Sequence, residues 1–588
     1  MYRVRQNFLA GARLCLAIAL LLQGCTAKRR AAGLVKIRWA HDPENLDPMA
    51  LANQPAIDAI NLLNCSLLQA DFATNRFAPA LAEALPTVQL LGDSLMRLQY
   101  TLRPEAAWDN GRPVLATDVA FTLKLMFCPG LPNERARSDY SFIREVLIDP
   151  KNPRRFSLVC TSQSVEYVQA SGDFFVLPEA ALDPKSELRA FSLAELQRRP
   201  ASDKAPPAVL QALARRYAAA TPGQTPARLP GCGPYQLVKW EKDRSLRFRR
   251  KPGWWADRVR PRPFVLEARP AQLEYAIIPD AATASLALQR GDIDVFPQMP
   301  TREFIRLRQA PTARAALNFY TTASHDVVIA GFNTRQPPLS DALTRQALGR
   351  CFDAAGILQG SELGEGRRTV GLISPADRRN YNDSLAPVPF DPAGAVALLR
   401  RAGWRRGATA EAGWQRNSAH GPQLLRLTMR YRTDEPLFAT MALQFQAAAA
   451  GIGVPVRLLP TESGNFSEAL HNGEFDVYVR ALRGNPFMFN FTSFLHSQAV
   501  GAGNTTGFGT PESDRLIEAI AAASTVPHRA QLLRRFQTLL QREMPLVPLF
   551  FRSNHVAAQK RLTHLYPTSL KPGFAAMAID EAPPSTSP

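Results

Sequence analysis

The chain has 588 residues and a formal net charge of +19, with 46% hydrophobic and 21% charged residues. It is too long for one hydrophobic core, so about two to four domains are expected, and its composition is that of an ordinary globular protein. The basic excess suits nucleic acid, an anionic membrane surface or acidic ligands. The arginines are nevertheless dispersed, with no basic block interleaved with aromatics, which favours a solvated basic surface over a nucleic-acid interface.

Met1–Arg13 is cationic and Leu14–Leu22 (LCLAIALLL) is apolar. The apolar run is too short for a bilayer core that needs roughly 20 residues, so residues 1–24 read as a secretory signal. The segment ends Leu22-Gln23-Gly24-Cys25, which resembles the bacterial lipobox. Cys25 is therefore expected to carry acyl chains and residues 25–33 to form a tether, against the alternative of an ordinary cleaved signal. The mature chain is expected outside the cytoplasm. Of the later cysteines (Cys65, Cys128, Cys160, Cys232 and Cys351) none forms a Cys-x-x-Cys pair, so redox and zinc-ribbon readings lack support. In an oxidising compartment one or two disulfides can form, Cys128 and Cys160 being nearest in sequence, and the odd count leaves at least one buried thiol.

Ile37–Trp39 reads as the first strand, and a helix over Pro55–Leu67 follows, with Pro55 suited to its first turn. The turn-rich Trp108–Val114 leads into a helix at Ala116–Leu123 with Thr117 as N-cap. Lys185–Leu229 has the composition of an insertion with helices at Leu193–Arg198 and Ala208–Ala219. Gly231-Cys232-Gly233-Pro234 is a tight entry turn to a hairpin, Tyr235–Trp240 against Leu246–Arg249, and Trp254-Trp255 needs a surface to pack on. Ser285–Arg290 is a helix stopped by Gly291, with a strand at Ile293–Phe296. Val327–Thr334 is a buried strand, and Arg345-Gln346-Ala347-Leu348 opens a helix. Asp391 caps a helix that Pro392 starts and Gly403 stops. Leu425–Tyr431, Leu437–Ala449 and Gly453–Leu459 make a βαβ unit and so a parallel sheet. Helices at Asp514–Ala523 and His528–Glu543 precede a buried strand at Pro545–Phe551.

Several of these phrases, in order, resemble the family 5 extracellular solute-binding proteins, the dipeptide, oligopeptide and nickel-binding proteins that serve ABC importers. The carriers are Leu46-Asp47-Pro48 after the first strand, the Trp108–Val114 loop and its helix, and the Gly231–Tyr235 turn, where Cys232 stands for the usual Thr or Ser. Leu288-x-x-Gly291-Asp292-Ile293-Asp294-Val295 and Asn333-Thr334…Pro337-Pro338…Asp341…Arg345-Gln346-Ala347-Leu348 complete the set. The resemblance runs from about residue 36 to residue 575.

It implies an α/β, periplasmic-binding-protein type II-like fold: two hinged lobes joined by crossing strands, plus an extra domain inserted in lobe one. Lobe one would comprise 34–70, 226–308 and 545–582, the inserted domain 71–225 and the other lobe 309–544, before a disordered tail at 583–588. The implied function is hinge closure on a small molecule or short peptide, then delivery to a permease driven by an ATPase subunit. The lack of Gly-x-x-x-x-Gly-Lys-Ser/Thr agrees, because hydrolysis belongs elsewhere. A monomer with no cofactor, no metal and no nucleic acid is expected.

Peptide-binding members commonly pair an Asp with the ligand amine in a Trp-x-x-Asp-Tyr-x-Asp-Pro-like phrase after a Tyr/Phe-Asp strand. Here Phe475–Arg480 is followed by Ala481–Phe487, and no acid occurs from Val477 to Pro511. An enclosed amine beside Arg483 without a carboxylate would suffer both repulsion and desolvation. Arg480 and Arg483 are thus expected to favour a neutral or anionic ligand, with Asn485 hydrogen-bonding to it; the alternative has both arginines facing solvent or paired with an acid. Asn53, Trp404 and Phe487 are further contact candidates that core packing would also explain. The eight histidines form no i, i+4 pair or cluster suited to a metal. An exported enzyme is disfavoured by the absence of Gly-x-Ser-x-Gly and His-Glu-x-x-His. A non-peptide ligand (a sugar, opine or acidic conjugate) and a sensor-coupled binding protein stay open.

Overall fold

The computed structural model describes residues 33–50, 53–203, 205–220, 229–407, 413–418 and 421–582. The expected signal at 1–24, the lipid site at Cys25 and the tail at 583–588 lie outside the described residues. Among those described, no helix is long and apolar enough to cross a membrane.

An eleven-stranded sheet runs through the molecule. Its far half places Val456–Thr461, Leu427–Arg432 and Val477–Arg483 side by side. Its near half runs Val295–Phe296, Leu34–Trp39, Gln272–Ile277, Ser245–Arg250 and Tyr235–Glu241. The last pair is the expected hairpin. Leu427–Arg432 lies parallel to Val456–Thr461, joined through the helix Pro436–Gly451, as the βαβ pattern requires.

Two long antiparallel strands, Leu317–Phe332 and Leu546–Gln559, join the halves. Both outrun the expected Val327–Thr334 and Pro545–Phe551, because their other segments carry Thr321, Thr322, Asn554 and His555 instead of an apolar run. Ladder bonds from neighbouring strands hold them extended despite that polarity. Their pairing breaks between Ala323 and Val327 and then resumes. This irregularity, the kind that bends a strand and re-aims its side chains, falls where the chain passes from one half to the other.

The far half carries an apolar core on each face. Val328, Trp404 and Phe445 belong to one, and Ile329, Tyr478 and Phe536 to the other, so adjacent residues point to opposite sides. The near half behaves differently. Ile37, Tyr235 and Trp254 share one continuous core with Phe121, Leu158 and Leu196, so the boundary expected at residues 70 and 71 does not divide the packing. Region 71–225 does hold its own four-stranded sheet, Thr87–Leu91, Leu95–Thr101, Arg155–Cys160 and Ile143–Ile148.

Several motif residues prove structural. Arg345 is buried and donates to the carbonyls of Leu339, Ser340, Glu543 and Met544, clamping the end of the helix Val526–Glu543. Desolvation lowers its pKa to about 10. Asn333 Nδ2 donates to the carbonyls of Gly473 and Phe475. Asp294 accepts from the Lys36 amide at 2.7 Å and pairs with Arg561. Thr117 is not an N-cap: the helix spans Ala116–Leu125, and the Asp118 carboxylate takes the Leu115 amide at 2.9 Å instead. Asp391 caps Pro392–Arg401 as expected, accepting from Gly394 at 2.8 Å. Cys65, Cys128, Cys160, Cys232 and Cys351 are all buried free thiols.

Candidate functional site

The helix Gln54–Leu63 buries Ala56, Ala59, Ile60 and Leu62 in the near-half core. Its opposite stripe, Gln54, Ile57, Asp58 and Asn61, is left facing a cleft between the halves. Across the cleft stand His325 and Asp326, at the pairing break of the long strand, and the segment Arg483–Phe487 that leaves strand Val477–Arg483. A first chamber of about 460 Å³ is walled by Phe72, Phe264, Tyr275, Phe487 and Phe574, with Asp58, Asp326 and Lys571 among its polar lining. An adjoining chamber of about 900 Å³ takes in Arg135, Asp173, Asp377, Arg480 and Arg483. Concave space of this size with an apolar lining and a few convergent polar groups is the ordinary form of a ligand site.

The cleft charges are unusually placed. Gln54 Nε2 donates to the Asp58 carboxylate at 2.8 Å, and Trp39 also hydrogen-bonds to it. Desolvation is the largest influence and pushes Asp58 up to about 7, against the pull of those donors and of Arg483. Asp173, in the second chamber, is raised to about 6 for the same reason. Asp326 Oδ2 pairs with Lys571 Nζ at 2.6 Å, while its Oδ1 is buried with no hydrogen-bond partner. A buried carboxylate oxygen left without a donor is costly, and a ligand N–H or O–H would satisfy it. His325 meets Ser569 Oγ at 3.3 Å, and burial lowers its pKa.

The halves also touch directly beside the cleft. Glu166, in region 71–225, is buried and pairs with Arg529 of the far half at 3.2 Å. The Phe489 amide donates to the same carboxylate at 2.9 Å, and Arg529 lies 5.5 Å from the Phe489 ring centroid. Burial raises the Glu166 pKa, with the Phe489 amide and Arg529 opposing. The Val165 amide donates to the Ala523 carbonyl at 3.0 Å, and the Phe77 and Phe487 rings meet at 4.5 Å.

Residues 76–503 match the profile of the bacterial extracellular solute-binding proteins, family 5 Middle. The chain belongs to this family. It is 24% identical over 519 residues to a di/tripeptide-binding protein of Pseudomonas aeruginosa, covering 86% of this chain and 87% of that one. The oligopeptide-binding protein of Bacillus subtilis, solved with a nonapeptide, has a TM-score of 0.69 at 18% identity, covering 94% of this chain and 99% of its own. A periplasmic EDTA-binding protein has a TM-score of 0.71 at 17% identity, covering 94% and 96%. The fold is thus the periplasmic-binding-protein type II architecture expected from the sequence.

In this solute-binding protein, Arg480, Arg483, Asn485 and Phe487 do converge on the cleft. Neither guanidinium has a hydrogen-bond or ion-pair partner among the described residues. Asn485 Oδ1 accepts from the Phe487 amide at 2.9 Å, which shapes the turn. Two candidates fall elsewhere. Asn53 is the N-cap of Gln54–Leu63, accepting from Ala56 and donating to the Asp42 carbonyl, so its polar atoms are already used. Trp404 is 1% exposed in the far-half core, its indole donating to Thr344 Oγ1 at 2.8 Å; it is packing, not contact. The expected shortage of acids holds only within 477–511, because Asp58, Asp173 and Asp326 reach the cleft from other segments. The spaced polar stripe Gln54/Asp58/Asn61, opposite an apolar helix face, was the available signal for one of these; nothing local marks Asp326 or Lys571. His496 is buried against Asp514 and Glu518, and no group of three or more His, Cys, Asp or Glu suited to a metal occurs among the described residues.

Proposed function

We propose that this protein captures a peptide or peptide-like solute between its halves and delivers it unchanged to an ABC permease. It does so as a lipoprotein monomer held by Cys25 outside the cytoplasm. One observation carries this reading: the cleft is walled from both halves and offers charges of both signs without full partners, the Asp326 Oδ1 and Asp58 carboxylates against Arg480 and Arg483. A zwitterionic ligand that touches both walls binds the closed form more tightly than the open one, and that difference drives closure. The relatives named above, one a di/tripeptide binder and one solved with a nonapeptide, support the peptide class.

The acids change the balance drawn from Arg483 alone, since an amine now has carboxylates to meet. A second reading is kept by the two arginines, which would suit an acidic non-peptide ligand; the EDTA-binding protein of the same fold supports it. Mass spectrometry of co-purified ligand, followed by thermal shift with free-amine peptides, N-acetylated peptides and polycarboxylates, separates the two. Stabilisation by free-amine peptides over acetylated ones is expected. Stabilisation by polycarboxylates alone would move the assignment to the second reading, and turnover of a trapped ligand would end both.

A further inference from the structure

The Gly231–Tyr235 turn carries a cysteine whose surroundings no cleft function uses. The Cys65 thiol donates to the Cys232 carbonyl at 3.1 Å. Their backbones are pressed together. The Gly233 amide donates to the Leu63 carbonyl at 3.0 Å. A Cβ built on Gly233 would come within 2.5 Å of Leu62 O, and one on Gly231 within 2.5 Å of Leu63 O. Glycines on either side of Cys232 thus let this strand entry lie directly on the residues that end the cleft helix.

The acceptor is also oversubscribed. Trp254 Nε1 and Trp255 Nε1 both donate to the Cys232 carbonyl at 2.8 Å, in addition to the Cys65 thiol. A carbonyl has two lone pairs, and the indoles fill them. Removing the thiol proton therefore orphans no acceptor. Cys65 and Cys232 are 4% and 0% exposed, so a bond between them would be shielded from reductants once the core has formed.

We propose that Cys65 and Cys232 form a disulfide in the exported protein, stapling the end of the cleft helix to the central hairpin. The oxidant is a disulfide donor of an oxidising compartment, either a thiol–disulfide oxidoreductase or glutathione disulfide. One cysteine thiolate attacks a donor sulfur and releases a donor thiol. The second thiolate then attacks the mixed disulfide, forming Cys65–Cys232 and releasing the other donor thiol. The chain loses two protons and two electrons and the donor is reduced to the dithiol level. Because both sulfurs are buried, the exchange takes place during folding. The staple spans 167 residues of sequence, a long loop that favours stabilisation. It fixes Leu63 and its neighbours two positions before Cys65, and through them the register of Asp58 and Asn61.

The full chain, unfolded and refolded in a glutathione/glutathione disulfide buffer, is then denatured, alkylated with N-ethylmaleimide and mapped by mass spectrometry. This version does not depend on the compartment. The expected result is a linked peptide pair containing Cys65 and Cys232, with Cys128, Cys160 and Cys351 alkylated. Alkylation of both Cys65 and Cys232 at every redox ratio, or a link between any other pair, overturns the proposal. Reduction should lower the Tm of the linked wild type by several degrees and leave Cys232→Ser unmoved. An unchanged wild-type Tm would overturn the staple's role. If Cys232→Ser does not fold, the wild-type map and its Tm with and without reductant decide the matter.

Discussion

Replacing Glu166 with alanine removes a buried carboxylate that region 71–225 presents to the far half. In the closed form the change leaves Arg529 without its counter-charge and the Phe489 amide without its acceptor. Removing one partner of a buried ion pair costs about 3–5 kcal/mol. The Arg529 side chain keeps 12% exposure, which places the cost at the lower end, about 3 kcal/mol. When the halves part, both groups regain water, so the penalty falls on the closed form alone. Ligand affinity depends on the free energy of reaching that form, and at 1.4 kcal/mol per decade the Kd should rise about 100-fold. Glu166→Gln keeps an acceptor for Phe489 and should cost about tenfold. Adding Arg529→Ala to Glu166→Ala should recover part of the loss, because the orphaned charge goes too. Calorimetry with the co-purified ligand measures the affinities, and X-ray scattering reads how far the halves close. A Glu166→Ala protein that binds within about threefold of wild type, with its Tm intact, would refute the assignment of this contact to closure energetics.

The remaining predictions concern the cleft itself. Asp58 is held at about 7 in the closed cleft, above its ordinary 3.8, so the closed form keeps a proton that the open form releases. Closure without ligand is therefore favoured in acid and weakened as pH rises through 7. A cationic ligand seated on Asp58 holds the carboxylate ionised in the closed form, so its binding at about pH 6 should take up no proton, whereas a ligand that leaves Asp58 without a cation should take one up; calorimetry in buffers of different ionisation heat reads the difference, which Asp58→Asn should abolish. For an anionic ligand, Arg480→Ala and Arg483→Ala should each weaken binding about tenfold and flatten its salt dependence, measured as Kd across a salt series. Asn53→Ala should cost about 1 kcal/mol of stability and Trp404→Ala about 3–5 kcal/mol. Chemical denaturation measures both, and calorimetry on the folded fraction should find the Kd of each unchanged.

Local rules carried much of the fold. Asp391, Pro392 and Gly403 bound a helix because capping and positive φ are local needs, and Gly403 does sit at φ 85°. The hairpin and the βαβ unit follow from periodicity and punctuation. The two strands that join the halves were only half visible, since Leu317–Phe332 changes from polar to apolar along its length and Leu546–Gln559 from apolar to polar. The apolar parts lie in the far-half cores, and the polar parts pair with each other, Thr321 with His555 and Thr322 with Asn554. Their extended state is fixed by neighbours far away in sequence, which no window of residues can register.

The cleft shows the same division more sharply. Arg480, Arg483, Asn485 and Phe487 were legible because they follow one strand in one segment. The inference that an amine would find no carboxylate rested on that segment alone, whereas acids from other segments also line the cleft. Closure brings the helix stripe of Asp58, the pairing break at Asp326 and the late loop of Lys571 onto the same cavity. The charge that a ligand meets is therefore a property of the closed arrangement, not of any one stretch. Two arginines that repel a cation in isolation become, opposite Asp58 and beside the unpartnered oxygen of Asp326, part of a site that offers both signs of charge. A ligand bearing both signs can bridge the walls and shift the equilibrium toward closure, whereas a ligand of one sign leaves the opposite wall desolvated without compensation. The spacing between Asp58 and the guanidinium groups exists only when the halves meet, whereas that between Asp326 and Arg483 is set within one sheet.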